Sequence, residues 1–134
     1  MTKLEEVEGI GLKYAEKLRE IGIANTDQFL QSASTPKGRK DLAEKSGISE
    51  KLILEWANHL DLFRIKGIAS EYADLLEEAG VDTVVELAQR NPENLYQKLV
   101  EVNEAKKLVR KLPVQSQVED WIEQAKKLPR VLQY

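Results

Sequence analysis

The sequence predicts an all-α protein made of two tandem repeats of about five helices each, joined by a continuous helix. Three observations support this fold class. Residues 4–30 align without gaps onto residues 62–88, helix start and stop signals recur at the same places in both copies, and no segment keeps the alternation typical of a strand. We therefore expect repeat 1 at 1–61 and repeat 2 at 62–134, packed as one compact unit.

Ten positions carry the same kind of residue in the two copies. In repeat 1 they are Leu4, Val7, Gly9, Ile10, Tyr14, Ala15, Leu18, Gly22, Ile23 and Phe29, and in repeat 2 they are Leu62, Ile65, Gly67, Ile68, Tyr72, Ala73, Leu76, Gly80, Val81 and Leu87. So many matches in one ungapped stretch indicate that a helical unit was duplicated.

Capping residues predict where the helices begin and end. Gly22 and Gly80 fit left-handed C-terminal caps. Each is followed by a capping box and then by a polar residue before proline, and both patterns open helices. These signals are Asn25-x-x-Gln28 and Thr35-Pro36 in repeat 1, and Thr83-x-x-Glu86 and Asn91-Pro92 in repeat 2. The β-rich stretch VDTVVEL is therefore predicted to be helix, because it aligns with ANTDQFL.

The repeats differ in their middle parts. Repeat 1 has one predicted helix at 36–46, whereas the longer repeat 2 is predicted to have two short helices near 92–101 and 104–111. From Ile48 and Val114 onward the pattern returns at an offset of 66, as an amphipathic helix.

Each closing helix carries one tryptophan, Trp56 or Trp121, at a position of its apolar face. We predict core packing for both indoles rather than stacking on nucleic-acid bases. The closing helix of repeat 1, near 49–64, reaches the next glycine turn without glycine or proline, which favours a rigid helical connection.

Composition narrows the possible functions. The chain has 134 residues, of which 42% are hydrophobic and 32% charged, as in soluble globular proteins. The absence of cysteine excludes disulfides and zinc sites built on thiolates, and His59, the single histidine, has no catalytic partner nearby in sequence. No apolar run is long enough to span a membrane, and no signal-peptide pattern opens the chain. We expect a cytoplasmic, non-enzymatic protein without metal, cofactor, membrane partner or small-molecule substrate.

Two short turns carry the most specific motif. VEGIG at 7–11 and IKGIA at 65–69 each stand before a helix with small or apolar positions, and each resembles the helix-hairpin-helix motif. KSGIS at 45–49 and KLPVQ at 111–115 resemble degenerate second hairpins. The tandem, including the segment VEDWIEQAKKLP, is similar to a bacterial and archaeal domain family of unknown function that is grouped with helix-hairpin-helix proteins.

The resemblance implies a phosphate site at each hairpin, where backbone N–H groups and the helix dipole face an anion. The residues that it implies are Gly9, Ile10 and Gly11 with Lys13 in repeat 1, and Gly67, Ile68 and Ala69 with Arg64 and Lys66 in repeat 2. Two features depart from this pattern: Glu5, Glu6 and Glu8 precede the first turn, and Glu71 takes the place of Lys13 after the second.

A basic run precedes KLPVQ and offers a second phosphate-binding surface. It consists of Lys106, Lys107, Arg110 and Lys111. Its members can track a phosphate backbone, or they can be a solvated helix face balanced by nearby glutamates.

Two functions remain open at this level. The first is sequence-independent binding of nucleic acid, most simply DNA, through the hairpin N–H groups and the flanking Lys and Arg. The second is a protein-interaction adaptor that keeps the fold without the phosphate site, in which Gly-Ile-Gly only packs two helices together. The net charge of −3 favours the second, while the hairpin motif favours the first.

Overall fold

The computed structural model describes residues 3–7 and 9–134. This part of the chain is all-helical, as predicted, and contains no strand. A 3-10 helix at Leu4–Glu6 is followed by eight α-helices: α1 (Gly11–Glu20), α2 (Thr26–Ser32), α3 (Pro36–Ser46), α4 (Glu50–Leu62), α5 (Ser70–Glu78), α6 (Val84–Ala88), α7 (Pro92–Lys106) and α8 (Gln115–Lys127).

The chain divides into two compact units. Unit 1 comprises Met1–Asp61 together with Val131–Tyr134, and unit 2 comprises Leu62–Arg130. Residues 131–134, predicted to belong to repeat 2, instead pack on unit 1, where Leu132 is buried and the Gln133 N–H donates to the Ser34 carbonyl. Because these contacts join residues far apart in sequence, no local sequence pattern predicts them.

The predicted C-terminal caps are confirmed in both units. Gly22 and Gly80 have φ of 93° and 94°, in the left-handed region. The N–H of Ile23 donates to the Leu18 carbonyl at 2.9 Å, and the matching bond in unit 2 measures 2.8 Å. Both helices therefore end in a Schellman motif, which satisfies their last carbonyl groups.

The predicted N-terminal caps are confirmed as well. Each capping side chain accepts a bond from the backbone N–H three residues later, and the four residues are Asn25, Thr35, Thr83 and Asn91. In each capping box the Gln28 or Glu86 side chain accepts from the N–H four residues earlier, that of Ala24 or Asp82. The second half of VDTVVEL accordingly lies in α6, which begins at Val84 after the N-cap Thr83.

The prediction of two short helices in the middle of repeat 2 is wrong. A single helix, α7, runs to Lys106, and Lys107 ends it with a φ of 52°. Asn103 lies in the last turns of α7, and its side chain accepts from the Val109 N–H at 3.0 Å and donates to the Val109 carbonyl at 3.3 Å. It thereby stabilises the non-helical loop that follows α7.

The core follows the ungapped alignment. The matched apolar positions, from Leu4 and Leu62 to Phe29 and Leu87, are buried in both units, except that the two tyrosines are half-buried. Equal burial at equivalent positions is the physical basis of the sequence repeat, since each unit fills one helical core with the same side chains.

The closing helices α4 and α8 correspond at an offset of 65, not the predicted 66. Trp56 and Trp121 are both buried, and 121 minus 56 is 65. An offset of 66 pairs Leu52 with Val118, but Leu52 is only half-buried, whereas its neighbour Ile53 is fully buried like Val118. Core packing of the two tryptophans is confirmed. Their burial at equivalent positions sets the alignment of α4 with α8, which the sequence pattern placed one residue off.

Candidate nucleic-acid interface

The two glycine turns have the same backbone structure. Gly9 and Gly67 have φ of 92° and 103°, which few residues with a side chain adopt. In each turn the isoleucine N–H donates to the carbonyl three residues earlier at 3.1 Å. Ile10 and Ile68 are buried, as expected for plugs between two helices. Because the N–H groups of both isoleucines are already hydrogen-bonded, these groups are not available to a phosphate.

Each turn glycine lies directly on a tryptophan. A Cβ placed on Gly9 would be 3.3 Å from Nε1 of Trp56, and one placed on Gly67 would be 3.1 Å from Nε1 of Trp121. Sequence reasoning missed this pairing, although one tryptophan per repeat at matching helix positions was its signal. The contact gives the glycines a packing role in addition to their backbone conformation.

A tyrosine completes each glycine and tryptophan pair. The Tyr14 ring is 5.1 Å from that of Trp56, and the Tyr72 ring is 5.2 Å from that of Trp121, between centroids. Both tyrosines are half-buried. Tyr72 also donates its hydroxyl hydrogen to the Lys111 carbonyl at 3.1 Å, so it fixes part of the loop after α7.

The helices that follow the two turns begin without side-chain caps. Their N-cap residues, Ile10 and Ala69, make no side-chain cap hydrogen bond, in contrast to those of α2, α3, α6 and α7. Around Gly11 the space is open, because an added Cβ would meet nothing within 4 Å, and Lys13 is exposed on the same turn. Within the described residues, the first N–H groups of α1 thus have no N-cap side chain and lie beside a cation.

The backbone of the second turn is hydrogen-bonded to a side chain of its own unit. The Gln124 side chain accepts from the Lys66 N–H at 2.8 Å and donates to the Lys66 carbonyl at 3.0 Å, while Asp120 orients the same amide group. Arg64 donates to the Pro129 carbonyl. Two basic residues predicted to face a phosphate are thus tied to α8 and the chain after it, Lys66 through its backbone and Arg64 through its side chain.

The acidic residues before the first turn differ in their surroundings. Glu5 accepts a hydrogen bond from Arg19 at 2.5 Å, and this bond lowers the pKa of the Glu5 carboxyl. Glu6 is exposed, and Glu8 lies outside the described residues. The Glu5 charge is therefore partly neutralised by α1 itself.

The basic run lies at the end of α7 and in the loop after it. Lys106 pairs with Glu78, whereas Lys107, Arg110 and Lys111 are exposed and form no ion pair with any described residue. Cations at a helix C-terminus are stabilised by the helix dipole. Three of the four predicted residues are thus available to an anionic ligand.

Comparison with known proteins gives one match. A family model described as a domain of unknown function (DUF4332) matches residues 8–128. The chain belongs to this family. No curated protein and no solved structure matches it. Among the helices of the described residues, none combines the length and the apolar surface that crossing a bilayer requires.

Proposed function

We propose that this DUF4332 chain is a non-enzymatic, tandem helix-hairpin-helix module that binds nucleic acid by its sugar-phosphate backbone, with the first hairpin as the principal contact. The observation that carries the proposal is the start of α1, where uncapped N–H groups follow Gly9-Ile10-Gly11 and Lys13 is exposed beside them. A phosphate oxygen accepts from such donors and gains from the helix dipole.

Gly11 suits this role for a reason separate from packing. Its φ of 65° is left-handed, yet nothing lies near an added Cβ. The turn therefore uses a glycine where the backbone is open to solvent, and a bulky phosphate can approach the N–H groups at the start of α1 closely.

The second hairpin is the weaker contact in this proposal. Glu71 stands where α1 has Lys13, and Gln124 holds the backbone of Lys66. The loop with Lys107, Arg110 and Lys111 supplies the additional phosphate contacts. Since none of these groups reads a base edge, affinity depends on salt and ignores sequence.

A fluorescence-anisotropy titration with labelled single- and double-stranded DNA and RNA tests the proposal, at about 50 and 200 mM salt, where phosphate contacts lose affinity steeply. Lys13→Glu is expected to weaken binding equally for all sequences and to reduce the slope of log K against log salt by about 1. Lys40→Glu is the matched control, because Lys40 is also exposed on a helix of unit 1. Equal losses in both variants would exclude a hairpin site.

The basic loop is tested separately. Replacing Lys107, Arg110 and Lys111 with Glu is expected to reduce the salt slope by about 3, since each phosphate contact contributes about 0.9. An unchanged slope would remove this loop from the interface and leave the first hairpin as the whole site.

A protein-interaction adaptor is the second candidate function. Leu12 favours it, because this side chain is 63% exposed on the first turn of α1, where unit 2 has Ser70. Analytical ultracentrifugation of the wild type and Leu12→Ser compares self-association. A dimer that Leu12→Ser dissociates, together with no nucleic-acid binding at low salt, would favour the adaptor.

A further inference from the structure

Residues 131–134 occupy a defined site on unit 1, beside the connection between α2 and α3. Leu132 is 2% exposed. The Gln133 N–H donates to the Ser34 carbonyl at 2.7 Å, and the Tyr134 hydroxyl donates to Oδ1 of Asn58 at 2.6 Å. Three successive residues are therefore held in three ways: by burial, by a main-chain bond and by a side-chain bond.

Arg39 on α3 is the centre of this site. Its side chain is buried, with the residue 6% exposed. Nη1 donates to the Ala33 carbonyl at 2.9 Å, and Nη2 donates to the Gln133 carbonyl at 2.8 Å. Its Cζ lies 5.7 Å from the centroid of the Tyr134 ring, within the range of a cation–π contact. Arg39 and Ser34 together satisfy both main-chain polar groups of Gln133.

The helical fold does not itself require a cation at this position. Arg39 comes four residues after the N-cap Thr35, and the equivalent residue after Asn91 in unit 2 is Leu95. Leu95 is fully buried. Burying a guanidinium costs free energy unless carbonyl or carboxylate groups compensate it. Arg39 compensates part of this cost through a carbonyl that the 131–134 segment supplies, so the burial of the guanidinium and the position of the segment are coupled.

We propose that unit 1 contains a peptide-binding site built around Arg39. Its ligand is a non-helical segment of a partner protein with an apolar residue followed two positions later by a tyrosine, and residues 131–134 are its intramolecular occupant. Main-chain bonds to the middle residue supply affinity, and the flanking apolar and tyrosine side chains supply specificity. This inference does not depend on nucleic-acid binding.

The intramolecular segment acts as a competitor for such a ligand. It contributes few residues, and Tyr134 remains 63% exposed. A tethered segment of this kind competes at an effective concentration of about millimolar. A free peptide therefore binds the intact chain weakly, and it binds more tightly when the tethered segment is weakened.

The test uses the full chain and a labelled peptide of the sequence LPRVLQY, which corresponds to residues 128–134. In the double variant Leu132→Ser/Tyr134→Ser the site is vacated, and we expect the peptide to bind it at least about tenfold more tightly than the wild type. Adding Arg39→Leu, the residue type at this position in unit 2, is expected to abolish that gain while circular dichroism stays helical. A peptide with both Leu and Tyr replaced by Ser should not bind.

Equal peptide affinity for wild type and double variant, or full binding after Arg39→Leu, would overturn the proposal. If the double variant does not fold, the wild type decides the question. Excess unlabelled peptide should then move the NMR amide signals of Gln133 and Tyr134 toward those of a released segment. Signals that stay in place at several millimolar peptide, on the order of the effective concentration, would overturn the proposal equally.

Discussion

Around Gly9 and Gly67 the chain builds the same turn, with a positive φ, a buried isoleucine and a tryptophan indole against the glycine. Around Gly67, however, the Gln124 amide bonds both main-chain groups of Lys66, and Glu71 follows. After Gly11 the exposed Lys13 takes that position, while both following helices begin without an N-cap side chain. The difference lies in the neighbours of the turn and not in its backbone.

Two roles are combined at these glycine turns. The glycine and tryptophan contact is present in both units, so it belongs to the fold. The exposed lysine on the first turn of the following helix is present in unit 1, where unit 2 has Glu71, so the proposed binding function belongs to the surroundings of one turn. Equal folds thus leave room for unequal functions.

The largest effect is expected from removing a tryptophan. Trp56→Ala and Trp121→Ala should each lower the free energy of unfolding by about 3–5 kcal/mol, because both indoles are buried and each supports a turn glycine. Urea denaturation followed by circular dichroism measures this loss. Leu12→Ala is the control, since that side chain is 63% exposed and should change stability by about 0.5 kcal/mol or less. A small loss at either tryptophan would contradict the shared packing role.

The turn glycines should come next. Gly9→Ala and Gly67→Ala are each expected to cost about 2 kcal/mol, because alanine is strained at positive φ and its Cβ would press on the indole. The loss should be larger at Gly67, where the approach is 3.1 Å rather than 3.3 Å.

Gly47→Ala provides the control for the turn glycines in the same denaturation assay. Gly47 has a φ of 75°, but nothing lies within 4 Å of an added Cβ. Gly47→Ala should therefore lower the free energy of unfolding by about 1 kcal/mol, which is the cost of placing alanine at a positive φ. Equal losses at Gly9, Gly47 and Gly67 would show that the indole contact adds nothing.

A smaller effect is expected where the two turns differ. Gln124→Ala should cost about 1 kcal/mol, since it removes two exposed hydrogen bonds to Lys66. It should also accelerate hydrogen exchange at the Lys66 N–H, which NMR can follow. Gln97→Ala, at an exposed position on α7, should change neither quantity. Unchanged exchange at Lys66 in Gln124→Ala would mean that the second turn is not closed by this side chain.

The smallest effect concerns the two capping boxes. Partial burial, and then the neighbouring Glu86 charge, raise the pKa of the Asp82 carboxyl, whereas unit 1 has neutral Ala24 and Gln28 at these positions. The folded state therefore holds the proton more tightly than the unfolded state. Stability falls as pH rises from the ordinary pKa of Asp through the raised value, and the full penalty remains at pH 7.

Asp82→Asn is accordingly expected to stabilise the protein at pH 7 by about 0.5 kcal/mol or less, because the group is largely exposed and screened. The gain should vanish below about pH 3.8, the ordinary value for this carboxyl. Glu86→Gln, which gives unit 2 the capping residue of unit 1, should act in the same direction. Thermal denaturation over this pH range measures both variants, and destabilisation at neutral pH would contradict the assignment.

Much of the fold could be predicted from local patterns. The caps at Asn25, Thr35, Gly22 and their counterparts are satisfied within a few residues, so their sequence signals are complete. The helix predicted near 104–111 does not form, because α7 continues to Lys106 and the Asn103 side chain bonds to Val109 in the loop that follows. This side chain suits a helix or a loop, and only the surrounding packing selects one.

The candidate site could be predicted only in part. The sequence identified the glycine turns and the basic run, but it could not indicate that the Ile10 and Ile68 N–H groups are bonded or that Gln124 reaches Lys66. These bonds depend on how the chain folds back on itself. A sequence motif identifies the residues of a turn. Which of their N–H groups can bind a ligand depends on the residues that pack against the turn in the fold.

The sequence by itself determined the all-helical class, the repeated helix boundaries and the buried positions, because these follow from caps and from the periodicity of apolar residues. Only the tertiary structure decided that Gln124 bonds the backbone of Lys66, that each turn glycine lies against a tryptophan, and that residues 131–134 pack around Arg39. The physical reason is the range of the interactions: caps and periodicity act within a few residues, whereas these contacts join residues 47 to 94 positions apart (56 minus 9; 133 minus 39).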